Sequence, residues 1–108
     1  EGVKRNSAEA MKWYQKAADQ GLSIAQNNLG MAYVSGELTK KNVSEGLQWV
    51  RKAAEQGSPY AQYNLGLIFE SGVGVKKDLG EALLWYSKAA DNGHEGAKIK
   101  VNQLKSRK

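Results

Sequence analysis

The chain has 108 residues, enough for one small domain with a modest core, and its 41% hydrophobic and 25% charged residues exclude a disordered chain. With no cysteine it can hold no disulfide, thiolate metal site or cysteine nucleophile; a single proline and few β-branched runs point away from a sheet protein, and no apolar run nears the ~20 residues of a membrane span. The net charge of +5 is concentrated at one end, where residues 94–108 hold Lys98, Lys100, Lys105, Arg107 and Lys108 against Glu95 alone.

Taken in chain order, the first predicted helix covers about residues 7–20. It follows the capping signal Asn6-x-x-Glu9, and Ala10, Trp13, Tyr14 and Ala17 lie on one stripe at helical spacing. Gly21 follows as a left-handed C-terminal stop. A second helix starts near Ser23 and ends at Gly36. The third opens at Asn42-x-x-Glu45 and runs to Gln56 before Gly57. Ser58-Pro59, a cap followed by a first-turn proline, opens the fourth, which ends at Gly72. Asp78-x-x-Glu81 opens the fifth, which runs to Asn92 before Gly93, and the sixth starts near Glu95. In each capping box the polar side chain should accept from a first-turn N–H while the glutamate answers the N–H of the cap itself.

These six helices repeat with a period of 36 residues. Trp13, Trp49 and Trp85 are in register, as are Lys16, Lys52 and Lys88, the alanine pairs at 17, 53 and 89, and Gly21, Gly57 and Gly93. Leu29 matches Leu65, Gly30 matches Gly66, and Tyr33 matches Phe69. Two helices per period cannot bury their own apolar faces, so the pairs must stack into a solenoid. Gly30 and Gly66 each cost their helix about 1 kcal/mol against alanine, which predicts close helix approach there. The three tryptophans, at core spacing, are expected inside. The last helix places Asn102 at the glycine position and Lys105 at the aromatic one, as a solubilising end helix would. No comparable cap is visible at the other end and the chain starts at Glu1, so the expectation is a piece of a longer repeat protein that could self-associate through its N-terminal end.

The blocks Ala25-Gln26-x-Asn28-Leu29-Gly30-x-x-Tyr33-x-x-Gly36 and Ala61-Gln62-x-Asn64-Leu65-Gly66-x-x-Phe69-x-x-Gly72, with Glu81-Ala82-x-x-Trp85-Tyr86-x-Lys88-Ala89-Ala90-x-x-Gly93, resemble the Sel-1-like repeat family, a relative of the tetratricopeptide repeats. The resemblance covers essentially the whole chain. It implies an all-α, right-handed α/α superhelical solenoid. It divides the chain into a second-type helix of a preceding repeat (1–22), two repeats (23–58 and 59–94) and a divergent basic C-terminal helix (95–108). It also implies a scaffold or adaptor, of a kind found in bacterial envelopes, among secreted virulence factors and in degradation complexes of the endoplasmic reticulum. The spacing looks bacterial, and periplasmic, secreted and cytoplasmic settings are all compatible with it. Cysteine-rich members associated with β-lactam chemistry carry cysteines that this chain lacks, so that activity is not carried over.

By family position, the concave groove is lined by Ile24, Asn27, Met31 and Val34, then Tyr60, Tyr63, Leu67 and Glu70, then Ile99 and Gln103. These ten positions vary between repeats where fold-holding positions repeat, as a tailored surface for a protein or peptide would. Tyr60 and Tyr63, one turn apart, are the expected aromatic anchors. The bland alternative is that Tyr63 or Leu67 only packs against its neighbours. A carboxylate clamp on Asn28 and Asn64 is disfavoured, because the lysine it needs one turn earlier is Ile24 or Tyr60 here.

A second class of partner, an anion such as nucleic acid, lipid or acidic glycan, would use Lys98, Lys100, Lys105, Arg107 and Lys108. Nucleic acid is disfavoured, because a polar end helix explains most of that charge. Catalysis, cofactors and metals are not expected. His94 is the one histidine and sits in a predicted turn, Gly72–Lys77 lacks the strand and spacing of a phosphate loop, and the repeated glutamates are accounted for by capping.

Overall fold

The glycine after each alanine pair ends its helix in the same way, and this sets the repeat. The computed structural model describes residues 2–106, with side chains from residue 8 onward. Gly21, Gly57 and Gly93 have φ of 92°, 99° and 93°, in the left-handed region open to glycine. The N–H of each residue that follows, Leu22, Ser58 or His94, donates to the carbonyl of Ala17, Ala53 or Ala89 at 3.2, 3.3 and 3.0 Å. Each glycine N–H donates to the next alanine, completing a Schellman motif three times over.

Among the described residues six helices result: α1 (Gly2–Asp19), α2 (Ser23–Ser35), α3 (Val43–Glu55), α4 (Pro59–Ser71), α5 (Leu79–Asp91) and α6 (Glu95–Lys105). There is no strand among the described residues. α1 starts well before its expected cap, so Asn6 lies within the helix, and its side chain lies outside the described residues. The other two boxes form by half. Asn42 and Asp78 accept from the N–H of Glu45 and Glu81 at 3.1 and 3.0 Å. Their own N–H groups do not turn to the glutamates. They donate across the preceding loop to the carbonyls of Tyr33 and Phe69, both at 2.9 Å, tying each helix start to the end of the helix before it. Glu45, released from capping, accepts from Trp49 Nε1 at 3.0 Å.

α1, α3 and α5 form one layer and α2, α4 and α6 the other. Chain neighbours pack in antiparallel pairs, and α2 also touches α4. The stack extends 49 × 23 × 21 Å, an α/α solenoid. One buried cluster joins Val50, Ala53, Leu65, Ile68, Trp85 and Tyr86, and a second joins Ala18, Ala25 and Leu29 with Trp49 against it.

The glycines act as expected, with a different filler at each seam. At α2–α3, a Cβ on Gly30 would stand 2.6 Å from Val50 Cγ2 and 2.7 Å from the Gly46 carbonyl, so the two backbones nearly touch. At α4–α5, Ala82 and Tyr86 replace Gly46 and Val50, and a Cβ on Gly66 would meet the Tyr86 ring at 2.5 Å. A buried amide relay also repeats. Gln26 Nε2 donates to the Ala18 carbonyl (3.2 Å) and its oxygen accepts from Gln56 (2.6 Å). Gln62 does the same between Ala54 (3.1 Å) and Asn92 (3.0 Å). Buried amides are stable only when paired in this way.

The tryptophans are not all core. Trp85 is 7% exposed, Trp49 is half-buried, and Trp13 is 69% exposed. Each faces the helices that precede it in the stack. Trp49 meets the cluster around Leu29 and Trp85 the cluster around Val50, whereas no helix of the described structure covers that side of Trp13.

Candidate protein-binding face on α2, α4 and α6

The ten positions expected to line the groove divide between solvent and core. At the helix starts, Ile24 is 66% exposed and Tyr60 62% exposed. Ile99 is 58% exposed and Gln103 is also open to solvent. Tyr63 is half-buried against the core, and its ring stacks on His94 at 4.3 Å between centroids with planes 14° apart. Farther along α2 and α4, the positions are taken up by the fold. Asn27 is buried, and its Oδ1 accepts from Asn64 Nδ2 at 3.0 Å, bridging α2 to α4. Met31 and Leu67 pack against the main core cluster, and Val34 lies against Gly46. Glu70 Oε1 accepts from Tyr86 Oη at 2.6 Å and pairs with Lys100 Nζ at 3.2 Å, bridging α4 to α5 and α6. Burial first, and then the hydrogen bond to the Glu70 carboxylate, push the Tyr86 phenol well above the usual tyrosine range.

The residue that sequence reasoning missed is His94. It occupies the N-cap position of α6, 36 residues after the cap Ser58, and its Nδ1 accepts from the Ala97 N–H at 3.1 Å. That bond places the ring proton on Nε2. The ring is held between tyrosines, stacked on Tyr63 and edge-on to Tyr60 at 5.7 Å. Gly96 stands where α2 and α4 carry Ile24 and Tyr60. With no side chain there, a hollow of about 330 Å³ opens, lined by Pro59, Tyr60, Asn92, His94 and Glu95 along with Gly93 and Gly96. The repeat held the signal, because both residues sit at positions whose counterparts were already assigned.

The basic strip is less available than its sequence suggests. Lys98 pairs with Glu95 at 3.2 Å. Lys100 is held by Glu70 and lies 5.9 Å from the centroid of the Tyr86 ring. Lys105 is exposed, and Arg107 and Lys108 lie outside the described residues. Among the described residues no cluster of histidine, aspartate or glutamate could hold a metal ion, and no helix is long and apolar enough to cross a membrane.

Chemically, the face offers apolar and aromatic contact area with a few donors. The family model of the Sel1 repeat matches residues 1–22, 23–58 and 59–94. Among solved structures, a Sel1 repeat protein from Oxalobacter formigenes is 44% identical, with a TM-score of 0.86 over 91% of this chain and 40% of its own. A protective antigen of uropathogenic Escherichia coli strains with an SLR fold is 40% identical, with a TM-score of 0.84 over 90% of this chain and 21% of its own. The chain therefore spans less than half the length of either. Among curated proteins no match is found.

Proposed function

The chain belongs to the Sel1-repeat family, whose members are generally protein-interaction scaffolds, and from that premise we propose that it holds a protein or peptide on the face of α2, α4 and α6, without catalysing a reaction. The observation that carries this reading is the exposure of Tyr60 at the hollow over Gly96, with Ile99, also exposed, about one turn farther along α6. The fold leaves both side chains largely in water, and large apolar side chains beside a concavity are common anchors in protein interfaces. The Tyr60 ring lies edge-on to His94, whose ring in turn stacks on Tyr63.

An affinity capture from a bacterial lysate tests it, comparing the wild type with a Tyr60→Ser, Ile99→Ser variant. Tyr63 and Leu67 are left intact because they also hold the core. One protein enriched by the wild type and lost with the folded variant is the expected result. Identical lists from both would remove this face from consideration. Capture that vanishes between ~50 and ~200 mM salt would point to the lysines of α6 instead.

A further inference from the structure

The two long loops repeat, and each ends in a basic pair that the fold leaves unused. Lys40-Lys41 in the α2–α3 loop and Lys76-Lys77 in the α4–α5 loop are 36 residues apart and in register. Both loops are pinned at the same two places. The N–H of Asn42 or Asp78 donates back to the carbonyl of Tyr33 or Phe69 at 2.9 Å. The second lysine crosses the glycine that ends the preceding helix. A Cβ on Gly36 would stand 2.8 Å from Lys41 Cβ, and one on Gly72 would stand 3.3 Å from Lys77 Cβ. All four lysines are exposed, and none forms an ion pair among the described residues. Lys105, exposed at the end of α6, stands at the same edge, because α2, α4 and α6 run parallel.

Two of the carboxylates near these loops are already committed. Asp78 accepts from the Glu81 N–H, and Glu45 accepts from Trp49 one turn farther along α3. Glu37 and the half-buried Glu81 remain. The opposite edge is built differently. Asp19, Glu55 and Asp91 end α1, α3 and α5, and each has a lysine three residues before it. Those lysines, Lys16, Lys52 and Lys88, lie 5.9, 5.4 and 4.7 Å from the ring centroids of Trp13, Trp49 and Trp85. Positive charge is thus matched there and in excess at the loops. The loops also carry apolar side chains that packing covers only in part, with Leu38 36% and Val73 38% exposed. We propose that this loop edge docks on an anionic lipid surface, with the lysines among the headgroups and Leu38 and Val73 in the acyl boundary. Lysines gain from the negative potential of such a surface, and apolar insertions add to that gain. A soluble polyanion would meet the same charges but offers nothing to Leu38 and Val73. The edge lies at the other end of the helices from Tyr60 and His94 and shares no residue with the surface around them, so the two readings stand or fall separately.

Co-sedimentation of the protein with vesicles tests it, using phosphatidylcholine with and without phosphatidylglycerol. The expected result is binding to the anionic vesicles alone, falling as salt rises. Lys40→Gln, Lys41→Gln, Lys76→Gln and Lys77→Gln together keep the stems that pack at Gly36 and Gly72, and should weaken binding at least about tenfold. Lys16→Gln, Lys52→Gln, Lys88→Gln and Lys98→Gln together give the same net charge and should weaken it less than about threefold. All eight lysines are exposed, so both variants keep the fold, which circular dichroism checks. Leu38→Ser with Val73→Ser should weaken vesicle binding and leave binding to heparin unchanged. No binding to anionic vesicles, or equal losses from the two lysine sets, overturns the proposal. Heparin bound more tightly than vesicles, with the serine variant binding vesicles as the wild type does, makes a soluble polyanion the occupant and overturns it equally.

Discussion

The first turns of α2, α4 and α6 and the later halves of the same helices both vary between repeats, for opposite reasons. At the first turns, Ile24 and Tyr60 are mostly in water, while Gly96 leaves room for the His94 ring, which a Cβ there would meet at 3.0 Å. In the later halves, the changes are coupled. Val50 becomes Tyr86, Gly46 becomes Ala82, and Val34 becomes Glu70, which then binds both Tyr86 and Lys100. A coupled set of this kind preserves packing and satisfies a buried hydroxyl. Variation between repeats therefore marks a binding surface only where no partner change elsewhere accounts for it.

The largest expected effect sharpens this contrast. Tyr86→Ala should cost about 3–5 kcal/mol by denaturant unfolding, because it empties the seam that Gly66 leaves open. Adding Ala82→Gly to Tyr86→Val, which recreates the residues of the α2–α3 seam, should recover part of the loss of Tyr86→Val alone. No recovery would mean that the two seams are not alternative solutions of one problem. Glu70→Ala should cost about 1–3 kcal/mol, because it strands the buried Tyr86 hydroxyl and frees Lys100.

Tyr86→Phe should cost about 1 kcal/mol at neutral pH, and it carries a pH signature. The folded protein holds the Tyr86 proton above the ordinary value of 10.0. The unfolded chain releases it near that value, so this stability is complete below about pH 10 and is lost as pH rises above it. The phenylalanine variant should lose stability less steeply in that alkaline range. A slope equal to that of the wild type would contradict the assignment. The smallest effect belongs to the exposed positions, where Tyr60→Ser with Ile99→Ser should stay within about 0.5 kcal/mol per site.

The helix ends were legible because their causes are local. A glycine after a helix, a serine before a proline and an asparagine before a first turn each act within a few residues, and the observed starts at Ser23, Pro59 and Glu95 follow them. α1 departed because its Asn6 signal falls inside a helix that begins at Gly2. The repeat also made the face of α2, α4 and α6 legible, together with the exposure of Ile24, Tyr60 and Ile99. The burial of Asn27 and the engagement of Glu70 were not legible. Their partners Asn64 and Lys100 lie on the next inward helix, and only the stacking brings them together. Trp13 shows the same limit from the other side, since equal spacing does not guarantee equal cover.

The central claim, that a partner rests beside Tyr60 and the hollow over Gly96, is tested most directly by site-specific photo-crosslinking. A benzophenone side chain placed at position 60, and separately at the exposed outward position Gln48, reports which face a partner touches in lysate. A discrete adduct from position 60 and none from position 48 is the predicted result. Adducts from position 48 alone would place the partner on the opposite layer and contradict the account.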